Sequence, residues 1–142
     1  MKNLKISCIL SIIIVMTMLN CTTQPPVEQQ TNPLEGVWEI VSGERTTQDT
    51  TFTYPAPQST DMRSFKFITK KHWGVTGMVP SMESNWGFAG TYRLTDDTYV
   101  EYFAIQINPE NIGDSAVYKY KLVGDKWTIS SDWLKEEWKR IE

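Results

Sequence analysis

Glu101 is the residue whose setting points most directly to chemistry. It lies in a run where Tyr99, Glu101, Phe103, Ile105 and Ile107 share one parity. Residues two apart on a strand share a face. A carboxyl on an otherwise apolar face must be paired or neutral if it is buried. Such a group can bind the polar head of a ligand or act as a base. The other parity carries Val100, Tyr102 and Ala104, so alternation leaves the inward face open. The plainer alternative pairs Glu101 across strands with Lys119 or Lys121. His72 is the single histidine, which excludes a three-histidine zinc site. It could form an acid–base pair with Glu101 only within hydrogen-bond reach, directly or through water. Otherwise it is a packed or surface histidine, or a polar group that hydrogen-bonds a ligand. Tyr92, Tyr118 and Tyr120 carry hydroxyls on apolar bodies, which suit a cavity for an amphipathic molecule and equally suit a filled core. Asp96, Asp97 and Asp125 stand in turn sequences, where Asp bonds its own backbone. The chain has no Gly-rich phosphate loop, nucleophile elbow or zinc signature, and no metal or cofactor is expected.

The elements that would position these residues are short strands. Gly36 to Ser42 is the first. Arg63 to Ile68 alternates and predicts a second strand, with Phe65 and Phe67 turned inward. Lys71 to Val79 follows, with Gly74 and Gly77 suiting a bend or bulge. Phe88 to Leu94, Thr98 to Ile107, Ala116 to Val123, Lys126 to Ser130 and Leu134 to Ile141 complete the set. Turn residues separate them, as at Thr95-Asp96-Asp97 and Gly124-Asp125. About eight antiparallel strands joined between sequence neighbours predict an all-β, up-and-down barrel. Such a barrel encloses room for side chains or one small ligand. Gly43 to Asp61 is too long for an ordinary connection, and Thr50 to Tyr54 within it could be a short strand.

The beginning of the chain differs in kind. Lys2 and Lys5 precede an apolar run from Ile6 to Leu19, shorter than the about 20 residues a membrane-spanning helix needs. That pattern is a secretory signal. It ends at Met18-Leu19-Asn20-Cys21, which resembles the lipobox of bacterial lipoproteins, in which the Cys becomes the acylated first residue. Residues 1–20 are therefore expected to be a signal peptide, 21–33 a tether and 34–142 the folded domain. The tether is polar, with Pro25, Pro26 and Pro33, and cannot bury a core. Cys8 would leave with the signal, so no disulfide would form in the mature chain. The formal net charge is −3, and losing Lys2 and Lys5 makes the mature chain more acidic. Nucleic acid is not an expected partner. The resemblance to lipoproteins implies attachment to the bacterial envelope, at the outer membrane facing the periplasm, through acylated Cys21.

Every Trp, Tyr and Phe lies beyond residue 33, a rich supply for a small core or a ligand cavity. Gly36-Val37-Trp38 near the start and Trp138-Lys139-Arg140 near the end resemble the lipocalin (calycin) pattern. A guanidinium over an indole is a cation–π pair, and barrel closure would bring these ends together. Leu34-Glu35-Gly36-Val37-Trp38, Lys66-Phe67-Ile68-Thr69, His72, Gly90-Thr91-Tyr92, Tyr99-Val100-Glu101, Gly124-Asp125 and Glu137-Trp138-Lys139-Arg140 occur in that order. Together they resemble the small lipocalin-like domain of Bacteroidetes-type lipoproteins and secreted proteins. The resemblance implies a calycin-type barrel closed by Gly36, Trp38, Trp138 and Arg140. It also makes the long first loop a candidate lid. The expected function is binding of a small hydrophobic or amphipathic ligand, lined by Phe65, Phe67, His72, Tyr92, Glu101, Phe103 and Tyr120. The alternatives are a solid barrel that docks another envelope protein, and an enzyme using Glu101 and His72.

Overall fold

The computed structural model describes residues 32–55 and 61–142. The expected signal peptide, Cys21 and most of the expected tether lie outside them. Among the described residues nine antiparallel strands form one sheet: β1 (Gly36–Thr47), β2 (Thr50–Tyr54), β3 (Arg63–Ile68), β4 (His72–Val79), β5 (Ser84–Leu94), β6 (Thr98–Ile105), β7 (Ser115–Val123), β8 (Lys126–Ser130) and β9 (Leu134–Arg140). β1 pairs with β9, so eight strands close into a barrel and β2 is added at one rim. The expected all-β up-and-down barrel is the observed one.

β1 is longer than its apolar pattern predicts. Its first half, Gly36–Glu39, pairs with β3; its second half, Gly43–Thr47, pairs with β2. A bulge between Ile40 and Ser42 in the β1–β9 ladder lies between the two halves. Bulges bend the strand that carries them. Gln48 takes a positive φ of 49° at the hairpin tip, and Thr50–Tyr54 returns. Much of the expected loop is thus a β-hairpin that prolongs the barrel wall. β4 pairs without interruption to both neighbours, so Gly74 and Gly77 make no bulge. Gly77 instead leaves space that the Trp86 ring fills. The other register shift lies at Ala89/Gly90, between β5 and β6.

One end of the barrel is plugged by aromatic rings. Trp38, Trp127, Trp138, Tyr99, Leu34 and Ile129 are its largest fully buried side chains. Trp127 meets Trp38 edge-on at 5.3 Å and Tyr99 edge-on at 5.2 Å. Edge-to-face pairs set the negative ring face against a positive edge and add about 0.5–1.5 kcal/mol beyond burial. The Trp38 indole donates to the Leu34 carbonyl at 2.9 Å, which pins the segment entering β1 under the plug.

Barrel closure brings Trp38 opposite Arg140. The guanidinium lies 4.2 Å from the Trp38 ring centroid and donates to the carbonyls of Glu35 and Pro33. Gly36, at φ +136°, leaves no room for a Cβ against the Glu142 carbonyl. One planar cation therefore ties the last strand to the segment before the first. Lysine cannot reproduce both the stacking and the forked donation. Arg140→Lys should lower unfolding free energy by about 2 kcal/mol, read by chemical denaturation. An unchanged midpoint would show that the strand ladder alone closes the barrel.

Candidate functional site

Above the plug the barrel holds a cavity of about 760 Å³. That is a typical size for a small-molecule site. Side chains leave this part of the barrel interior unfilled. Its walls carry aromatic rings, among them Trp73, Trp86, Phe88, Phe103, Tyr118 and Trp133. Trp73 and Phe88 both meet Phe103 edge-on, at 5.2 and 6.3 Å. Among the described residues the mouth is bounded by Thr47 and Phe52 of the β1–β2 hairpin and by Gln106, Asn111 and Asp114 of the β6–β7 connection.

The floor is charged. Lys66 projects inward from β3 and its ammonium donates to Glu101 Oε1 of β6 at 2.9 Å. Both side chains are only 4% exposed. Glu136 Oε2 of β9 lies 4.0 Å from the same ammonium. Four ring centroids surround it: Trp138 at 4.9 Å, Trp127 at 5.2 Å, and Trp73 and Tyr99 each at 5.7 Å. Ring faces attract cations, most strongly where water is excluded. Glu136 is itself held by two donors, the Tyr54 hydroxyl at 2.7 Å and the Trp138 indole at 2.9 Å. Tyr54 reaches it across Gly43, where any side chain would strike the Tyr54 ring.

The electrostatics follow from burial. Desolvation pushes the Glu101 carboxyl above the ordinary range; the Lys66 charge and hydrogen bond oppose this, and Glu136 adds to it. Burial, then the neighbouring acids, raise the Tyr118 and Tyr99 hydroxyls far above their ordinary value. Burial and Glu136 do the same to Tyr54. All three stay protonated donors at neutral pH. The Tyr99 hydroxyl approaches Glu101 without hydrogen-bonding geometry, and it and the Trp127 indole N–H have no partner among the described residues.

The expected lining residues divide sharply. Glu101 and Phe103 line the cavity. Phe67, expected inward, faces out at 44% exposure, and Phe65 shares its outer face. The inward residues of β3 are Ser64, Lys66 and Ile68. His72 is exposed, and only its backbone bonds to Thr69. It stands outside while Glu101 lies within, so the acid–base pair of the enzyme alternative is not formed. Tyr92 and Tyr120 are half-buried away from the cavity, donating to the carbonyls of Thr69 and Thr95. Asn32 also donates to the Tyr92 hydroxyl. Lys119, weighed as a partner of Glu101, is exposed and pairs with Asp97.

Sequence reading missed Lys66, Glu136 and Tyr54. The missing signal was charge balance. Glu101 and Glu136 each fall at inward parity with aromatic neighbours, and two inward acids call for an inward cation. Lys66 lies two residues from each of Ser64 and Ile68 and satisfies that need only if Phe65 and Phe67 turn outward.

A solved structure shares this architecture. The chain is similar to a lipocalin-like protein from Bacteroides uniformis ATCC 8492, with a TM-score of 0.52 and 13% identity over 76% of this chain and 98% of that one. It is also similar to an uncharacterized protein from Bacteroides eggerthii DSM 20697, with a TM-score of 0.49 and 16% identity over 75% of this chain and 98% of that one. No family model matches the sequence. No curated protein matches it either. The fold is lipocalin-like, as the order of motifs implied.

Removing one partner of a buried ion pair strands the other charge. Lys66→Met should cost about 3–5 kcal/mol in chemical denaturation, and adding Glu101→Leu should recover much of the loss. Additive losses would show that the two groups are not coupled. The pH dependence has a definite sign. A carboxyl raised in the folded state contributes stability that is complete below its unfolded pKa and is lost as pH rises through its folded pKa. Between about pH 4 and pH 7, wild type should therefore lose stability relative to Glu101→Gln. Parallel stability profiles would show that Glu101 titrates as an ordinary carboxyl.

Proposed function

We propose that this chain is a binding protein for a small amphipathic molecule, held at the bacterial envelope. The observation that carries the reading is the cavity itself: about 760 Å³, with aromatic rings in its walls and three charged side chains on its floor. Apolar walls with a few convergent polar groups are the usual make-up of a ligand site. The lipocalin-like fold supports it, because eight strands enclose room for one small ligand. The basic start, the apolar run and Cys21 support the envelope address. Several buried acyl chains at one Cys would make that attachment firm, at about 0.8 kcal/mol per buried CH₂.

Native mass spectrometry of the purified protein tests the binding role. A bound mass released on denaturation is the expected result, together with uptake of a neutral naphthylamine dye. Ala116→Trp places an indole in the cavity from β7 and should abolish dye uptake while the circular dichroism spectrum is kept. An empty protein that takes up no apolar probe would overturn the reading. The address is tested separately: Cys21→Ser should end metabolic labelling with palmitate and release the protein from membranes. Unchanged labelling would place the acyl group on another residue, and an unlabelled wild type would overturn the lipid anchor.

A further inference from the structure

The floor of the cavity discriminates between head groups. Three charged groups meet there, Lys66, Glu101 and Glu136, and the cavity lining adds Arg45 and Asp114, so acids outnumber cations by three to two. The ammonium is the poorer seat for a ligand, because Lys66 reaches the cavity already paired and only 4% exposed. Glu101 sits at 2.9 Å, Glu136 at 4.0 Å, and four aromatic ring centroids lie within 5.7 Å of it. A ligand carboxylate could reach Lys66 only by displacing Glu101 and burying three acids against one cation, which is costly where water is excluded. Glu136 is the open group. All three line the cavity, and its side chain is 14% exposed against 4% for each of the other two. Tyr54 takes one hydrogen bond at Oε1 and Trp138 one at Oε2. Each carboxylate oxygen can accept two, so capacity remains on both. The walls favour the same sign of charge: the Arg45 guanidinium already lies 5.6 Å from the Trp133 ring centroid at the rim.

We infer that the ligand has an apolar body and a protonated amine head that sits against Glu136 on the cavity floor. The inference rests on the binding role proposed above and narrows it. The amine supplies the donors that Glu136 can still accept and offsets the surplus negative charge of the floor. Its body lies along Phe88, Phe103 and Trp133 toward the mouth.

Isothermal titration of the purified protein at neutral pH with dodecylamine, dodecanol and dodecanoate tests this. The three share a chain and differ only in the head. The amine should bind tightest, by about tenfold over the alcohol, which is 1.4 kcal/mol. Dodecanoate should bind weakest. Glu136→Gln keeps the shape of the side chain, and should cut amine affinity about tenfold while leaving that of the alcohol within about threefold. Dodecanoate binding as tightly as dodecylamine would overturn the head-group assignment and leave the binding role standing. Amine affinity unchanged by Glu136→Gln would overturn the seat. Binding of none of the three would remove the binding role along with it. The wild-type comparison decides the head group even if the variant fails to fold.

Discussion

A lysine ammonium buried at the centre of a small barrel constrains everything around it. An ammonium leaving water loses hydration worth several kcal/mol after relaxation, so it must find charge and polarisable faces in place. Lys66 finds a carboxylate from β6, a second from β9 and the faces of four aromatic rings. Those groups come from strands far apart in sequence, and they meet only in one register. A slip of one residue in β3 would turn Lys66 to solvent and send Phe65 and Phe67 inward, leaving both acids without a cation. Buried pairs of this kind are weak sources of net stability. Here the three charges meet only when these faces of β3, β6 and β9 turn to the lumen.

The two ends of the barrel divide the work. At one end indoles and Tyr99 pack edge to face, and Arg140 ties the last strand to the chain before the first. At the other end the walls rise above the charged floor without filling. The β1–β2 hairpin belongs to both. Its base is the ladder that closes the barrel, and its far strand sends Tyr54 back over Gly43 to Glu136. The wall of the mouth is thus coupled to the floor by one hydrogen bond from a hydroxyl that burial keeps protonated.

Much of the architecture was legible. Strand boundaries for β3 and β8 follow from alternation and turn residues, and Gly36, Trp38, Trp138 and Arg140 foretold which strands meet. The candidate site was legible only in part. Glu101 and Phe103 stood out because an acid and a ring share a parity with Tyr99. Phe65 and Phe67 misled because the rule that apolar residues turn inward runs one way only. More than half of a folded surface is apolar, so outward aromatics are ordinary. His72 drew attention by being single, which says nothing about the side of the strand it occupies.

By itself the sequence determined the class of fold, the strand order and the two residue sets that join the barrel ends. Those depend on local alternation, turn chemistry and neighbour pairing, which are properties of short stretches. Only the tertiary structure decided which face of each strand is the lumen and which cation answers Glu101. It also decided whether the interior is open. Those depend on the joint register of strands separated by tens of residues, and on the cost of burying charge. No single strand carries either quantity. Lys66, Glu101 and Glu136 share a site because the closed barrel offers that arrangement for satisfying all three charges out of water.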